Sequence, residues 1–248
     1  MNNLLLEIYG EEIPSSSQIL IEKQFQILFK ELFQENEIFF KSIETFSTAR
    51  RVTLVAENLP SKIESKKIEI RGPQVDANQN AISGFLKSNN IKELKKLETK
   101  KIKNKIYYIA KKKSEEKEIS IILEEKIPQL LRSIKWVKSM RWANNNDRWI
   151  RPIKNILCVF KKKEIKFEFA GIKSNSFTFG NYYFDHKKIK CLDFITYKKN
   201  IKKNYVVLDK KDRKKMILDK IEKFCKRNDL TFEIDNLLLE SVSSSVEY

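Results

Sequence analysis

The chain has 248 residues, 41% hydrophobic and 11% aromatic, enough to bury the core of one large domain or two small ones, so its 33% of charged residues do not make it a disordered polyelectrolyte. Lys and Arg number 50 against 33 Asp and Glu, and the net charge of +17 points to an anionic partner, nucleic acid first. The apolar runs, such as Leu4–Leu6 and Ile119–Leu123, fall far short of the ~20 residues of a membrane span, and the N-terminus has no basic signal region.

Leu4–Ile8 reads as an apolar strand. Ser15 and Gln18 have capping-box spacing after Pro14, and Ile21, Phe25, Leu28, Phe29 and Leu32 then recur at helical spacing, which predicts an amphipathic helix over about 16–35. Strands at about 38–46 and 51–57 complete a β-α-β-β unit in residues 1–60. A basic subdomain inserted over 61–113 follows: the Arg71-Gly72-Pro73 turn, helices over 81–88 and 91–97, and a hairpin turning at Lys103-Asn104-Lys105. Residues 114–208 begin with a helix from Glu115 to Arg132, which Pro128 should kink or break, and continue as strands at 153–160, 165–169 and 177–184. Residues 209–248 read as two helices. The first starts at Asp209 with Met216, Ile217, Ile221 and Phe224 as its apolar stripe; the second runs from about Asp235 to Tyr248, as if cut inside an element. The fold class expected is α+β, with small sheets, packed helices, the basic insertion and a helical C-terminal part.

Little of the usual catalytic chemistry is written in this sequence. It has no phosphate loop, and five glycines supply no dinucleotide fingerprint. His186 is the one histidine, so HExxH is impossible, and it reads as a surface residue in a Lys-rich turn. Glu11-Glu12 is an acidic pair at a strand end, but neighbours on an extended chain point apart, which favours an electrostatic over a catalytic role. Cys158, Cys191 and Cys225, odd in number and without CxxC spacing, suit free thiols in a reducing cytosol.

The arginines are more informative. The 50 cations comprise 41 Lys and only 9 Arg, a bias that AT-rich coding produces regardless of function. The few arginines cluster: Arg50-Arg51, Arg71, then Arg141, Arg148 and Arg151 beside Trp142 and Trp149. A guanidinium grips phosphate or carboxylate bidentately, and arginine beside exposed rings suits stacked bases. The competing reading is buried tryptophans and arginines paired with acids such as Asp147. Trp142 and Pro152 read as structural, and the lysine runs 111–113 and 161–163 as solvated faces adding nonspecific attraction.

Read in order, these segments resemble the N-terminal portion of the β subunit of the bacterial heterotetrameric glycyl-tRNA synthetase. The E-I-G-T-E-E-[IL]-P motif of that family appears as Glu7-Ile8-Tyr9-Gly10-Glu11-Glu12-Ile13-Pro14, and T-P-R-R-L as Thr48-Ala49-Arg50-Arg51-Val52. K-R-G-P matches Arg71-Gly72-Pro73; M-R-W-G and F-V-R-P match Met140-Arg141-Trp142-Ala143 and Trp149-Ile150-Arg151-Pro152. The G-I-x-S stretch is Gly171-Ile172-Lys173-Ser174 with Thr178 and Gly180, its following His-Arg being Asn181-Tyr182 here, and S-L-V-E-W-P becomes Ser245-Val246-Glu247-Tyr248. The resemblance implies a front portion of a longer subunit that supports ATP-dependent attachment of glycine to tRNA(Gly). It would bind tRNA and assemble with a separate catalytic α subunit, two of each, in the cytoplasm. It implies no active site in this chain, no catalytic residue and no metal, since the α subunit uses the ATP and its Mg. Arg50, Arg51, Arg71, Arg141 and Arg151 are the candidate functional residues, as phosphate contacts or as ion pairs locking subdomains. The alternative is a stand-alone basic RNA-binding protein without enzyme activity.

Overall fold

The computed structural model describes residues 2–65, 67–91, 93–94, 97–102, 105–113 and 116–248. The fold is α+β and divides into two compact units, Lys62–Lys117 and the remainder, Met1–Ser61 with Glu118–Tyr248. Residues 209–248 thus belong to the larger unit. Among the described residues no helix is long and apolar enough to cross a membrane.

The larger unit is built on a sheet whose central strand is β1 (Leu4–Gly10). It pairs antiparallel with β3 (Arg51–Glu57) on one side and β9 (Ile153–Phe160) on the other. β2 (Ser42–Ser47) extends the sheet beyond β3. β12 (Ile172–Asn175) joins β9 in parallel, with β11 (Glu168–Phe169) outside it, and β10 (Lys163–Glu164) closes a hairpin on β9. That hairpin turns on Lys161 and Lys162, both at positive φ, as a two-residue turn matching strand twist requires. Every residue of β1 is buried, which is why its sequence, Glu7 apart, is apolar on both faces and does not alternate.

Helix α1 (Ser15–Glu35) packs along β2 and β3 and buries Ile21, Phe25, Phe29 and Phe33, one residue per turn. It ends where Glu37 takes a left-handed conformation and Ile38 N–H donates to the Phe33 carbonyl. The expected capping box is absent: Pro14 holds the N-cap position, and buried Gln18 donates to the carbonyls of Ile13 and Ser244. An amide buried beside another helix satisfies its donors there first. On the opposite sheet face Leu5, Val55, Leu157 and Val159 pack with Tyr197, Ile201, Val206 and Leu208.

Helix α3 (Ile119–Ser133) passes through Pro128 without ending, because Pro128 is itself part of its buried face with Ile127 and Leu131. Tertiary burial outweighs the lost hydrogen bond there. Its expected start at Glu115 lies outside the described residues. Of the strand expected at 165–169 only Glu168–Phe169 forms, as β11, while β10 lies just before it. The one at 177–184 ends early, as β13 (Phe177–Phe179), which pairs with β14 (Lys188–Lys190). Helix α4 (Phe194–Lys203) was not expected: only Tyr197 and Ile201 are buried, too few for an apolar stripe, while Asp193 caps it through Thr196 N–H. Helix α5 (Lys210–Arg227) buries Arg213 and Cys225 and leaves Phe224 exposed, contrary to the expected stripe. Helix α6 (Asn236–Ser245) stops three residues before Tyr248; Val246 is extended, and the last residues fold back, with Val207 N–H donating to the Glu247 carbonyl.

The smaller unit is a three-stranded antiparallel sheet in the order β5 (Lys67–Gln74), β7 (Lys105–Lys113), β6 (Glu98–Ile102), with helix α2 (Gln79–Ser88) on one face. Ile70, Tyr108 and Ala110 of the sheet meet Ile82, Phe85 and Leu86 of α2. Two short strands, β4 (Lys62–Ile63) and β8 (Lys117–Glu118), pair where the chain enters and leaves. The helix expected over 91–97 falls partly outside the described residues; of those described, Leu94 is in 3-10 conformation and its carbonyl accepts from Leu97 N–H. The turn at Lys103-Asn104 lies outside the described residues.

Candidate functional site

β1 and β3 place Glu7 opposite Thr53 and Tyr9 opposite Arg51, on the sheet face that α4 covers. Arg51 is fully buried there. Its Nη1 donates to Glu7 at 3.1 Å, and its Nε and Nη2 grip both oxygens of Glu247 at 2.8 and 3.3 Å. The remaining donors reach Thr178 Oγ1 and the carbonyls of Phe179 and Gly180. Tyr197 and Thr178 hydroxyls donate to Glu7, and Thr48 to Glu247. One guanidinium thus joins β1, β3, the loop after β13 and the residues after α6.

The electrostatics follow from burial and charge together. Burial alone would lower the Arg51 value, but Glu247 and Glu7 hold it well above the arginine range. Burial works to raise the Glu247 carboxyl, yet Arg51 and the Thr48 hydroxyl keep it below the ordinary carboxylate value. Burial pushes the Tyr9 phenol up to about 12, and Tyr197 well above its usual range. A charge removed from water needs partners for its polar atoms, and here each nitrogen of Arg51 and each carboxylate oxygen of Glu7 and Glu247 has one.

Arg50 lies at the rim. It bridges Glu11 and Glu12 at 3.0 Å each, with its guanidinium 4.3 Å from the Tyr182 ring centre. The two glutamates converge, contrary to the expectation for an extended pair, because β1 ends at Gly10 and the chain bends. Gly10 is required there: a Cβ would sit 2.5 Å from the Pro152 carbonyl oxygen. Gly180 is required equally, since a Cβ would lie 2.1 Å from the Asp185 carbonyl oxygen. Lys154 and Arg50 hold Glu11 below the carboxylate range. His186 stacks on Phe179 with its Nε2 3.1 Å from Tyr9 Oη; burial and the nearby Lys154, Arg51 and Arg50 depress its basicity.

The other candidate arginines are not gathered at this site. Arg151 is exposed and donates to the Glu12 carbonyl at 3.3 Å. Arg141 is exposed, and Arg71, in the smaller unit, lies 4.8 Å from the Tyr107 ring centre. Trp149 is buried against Phe25, Trp136 and Phe169 and is no stacking platform. Asp147 pairs with Arg132, which was not among the candidates. Cys158 and Cys191 are buried thiols, the latter pushed up to about 12 by burial, and so inert at neutral pH.

Arg213 was missed altogether. It is buried and donates to four carbonyls, those of Ser47, Val207, Leu208 and Ser243, tying α5 and α6 to the end of β2. The available signal was an arginine, Arg213, in the first turn of a lysine-rich run, with Arg227 the only other arginine in 210–227. Glu7 announced itself as well, as one charge inside an apolar run that needs a buried partner.

Every residue of this network lies in a segment that comparison with known proteins also covers. The family model described as the glycyl-tRNA synthetase beta subunit matches residues 4–248. The glycine–tRNA ligase beta subunit of Rickettsia bellii is 40% identical over 248 residues. That of Rickettsia canadensis is 39% identical and that of Rickettsia typhi 35%, again over the whole chain. The chain spans 37% of the length of these relatives. It belongs to the glycyl-tRNA synthetase beta subunit family.

Proposed function

We propose that this chain serves a glycine–tRNA ligase, supporting ATP-dependent attachment of glycine to tRNA(Gly) through tRNA binding and assembly with a catalytic α subunit. The observation that carries this reading is the family match over residues 4–248. In this reading the α subunit binds ATP with its Mg and makes the adenylate, the assembly holds two α and two β subunits, and it works in the cytoplasm.

The arginines then divide by task. Arg50 and Arg51 have their donors committed to internal carboxylates and carbonyls and hold the fold. Arg71, Arg141 and Arg151 are exposed and are the candidates for contact with tRNA. The test is glycine-dependent charging by the α subunit with and without the partner chain. Charging by the α subunit alone at the same rate overturns the reading. Arg141→Ala with Arg151→Ala should weaken tRNA retention and make its salt dependence shallower by about 2. Unchanged retention by the folded variant would return both residues to a structural role.

A further inference from the structure

The sheet of the smaller unit has one face covered by α2, while the charged side chains of the other, Glu69, Arg71, Lys100, Lys105 and Lys111, are exposed. Strand alternation places Lys100 on β6, Lys105, Tyr107, Ile109 and Lys111 on β7, and Glu69, Arg71 and Gln74 on β5 toward the uncovered side. Tyr107 is its central ring, half-buried, with the Arg71 guanidinium 4.8 Å from the ring centre and Gln74 Nε2 donating to its hydroxyl at 3.3 Å. Ile109, flanked across the strands by Arg71 and Glu98, is buried.

The charges stand around that ring. Lys100 is 60% and Lys111 46% exposed, paired with Glu69 at 2.8 Å and Glu98 at 2.5 Å, while Arg71 and Lys105 have no carboxylate partner among the described residues. Exposed pairs of this kind contribute little to stability and leave both cations available to a stronger anion. Sequence charge concentrates in the same unit. Residues 62–117 carry 16 Lys and Arg against 7 Asp and Glu, a net +9, so under a quarter of the chain holds more than half of its +17.

We infer that this open sheet face is an RNA-binding surface: the Arg71–Tyr107 pair stacks an unpaired base, and Lys100, Lys105 and Lys111 take the flanking phosphates. An aromatic ring at the centre of a solvent-facing sheet offers a π-face to any base, and a stacked guanidinium extends that platform. The fixed excess of positive charge selects a polyanion over a protein of mixed charge. The inference deepens the function proposed above, tRNA being the RNA that such a subunit meets.

The experiment uses the full chain, with unfractionated bacterial tRNA and a labelled 12-nucleotide oligouridylate as probes. Arg71→Ala with Lys105→Ala and Lys111→Ala should raise the Kd for both at least tenfold and make the salt dependence shallower by about 2–3. Tyr107→Leu, which keeps an apolar side chain, should weaken the oligouridylate about fivefold or more and tRNA less. Glu69→Gln with Glu98→Gln removes two negative charges, raising the net charge by two, and should tighten both. A purely structural face would not give this opposite sign. If folded variants, checked by thermal melting, bind both probes like the parent, the inference fails. It fails too if RNA binding is unchanged while capture of the α subunit is lost, for the face is then a protein interface. Binding through this face by a chain that does not support charging would sustain the inference and sink the ligase role.

Discussion

The two units use positive charge in opposite ways. In the larger one, Arg51 and Arg213 are buried, their guanidiniums hydrogen-bonded to carboxylates, a hydroxyl and carbonyls of the same chain. In the smaller one, the cations of the sheet face stand in water beside exposed glutamates or none. The difference follows from side-chain chemistry. A planar guanidinium bridges several acceptors in fixed directions and tolerates burial, whereas a lysine ammonium is strongly hydrated and stays outside. Lysine excess therefore marks a surface, while the most deeply buried cations, Arg51 and Arg213, are both arginines.

The largest effect should come from breaking the buried joint. Arg51→Met leaves Glu7 and Glu247 as uncompensated buried carboxylates, and should cost about 3–5 kcal/mol in urea unfolding. Arg51→Lys should recover only part, since one ammonium cannot meet both carboxylates and the carbonyls of Phe179 and Gly180. A loss below about 1 kcal/mol would mean that the network is not what joins these strands.

Arg213→Ala should come next, at roughly 2–4 kcal/mol, because four carbonyls lose their donor and water reaches few of them. Limited proteolysis should then cut first within 207–248, the part that this residue ties down.

Acid sharpens the contrast further. The Glu247 carboxyl is lowered by Arg51 in the folded state, so its stabilisation is fully present above the unfolded carboxylate value of about 4.3 and is lost as the pH falls through the lower folded value. The larger unit should therefore lose stability on that acid limb, and Glu247→Gln should lower stability at pH 7 and flatten the limb. Far-UV circular dichroism against pH reads both. Smallest of all, Lys100→Ala should leave the melting temperature unchanged, since its pair with Glu69 is solvated, while still weakening RNA binding.

How much of this was legible in the sequence depended on range. The α1 stripe and the apolar strands β1, β3 and β9 were readable because their signals are local periods and runs. Helix α4 was not, because two buried residues in ten make no stripe and only the sheet beneath selects them. The break offered for Pro128 failed for the same reason: propensity argues for it, and burial of Pro128 in the helix's packed face overrides it. For the site, Arg50 and Arg51 stood out as motif arginines, but nothing local tied Arg51 to Glu247, 196 residues away.

What the sequence determined by itself was composition and short-range pattern: the α+β class, the basic insertion, the rarity and placement of arginine, and the motifs that mark the family. Tertiary structure alone decided which charges are buried. Burial is set by which elements come together across the whole chain, and the energy of a charge depends on that environment far more than on its neighbours in sequence. Positive charge therefore plays two parts: buried guanidiniums tie the larger unit together, and exposed Arg71, Lys100, Lys105 and Lys111 line a sheet face of the smaller one.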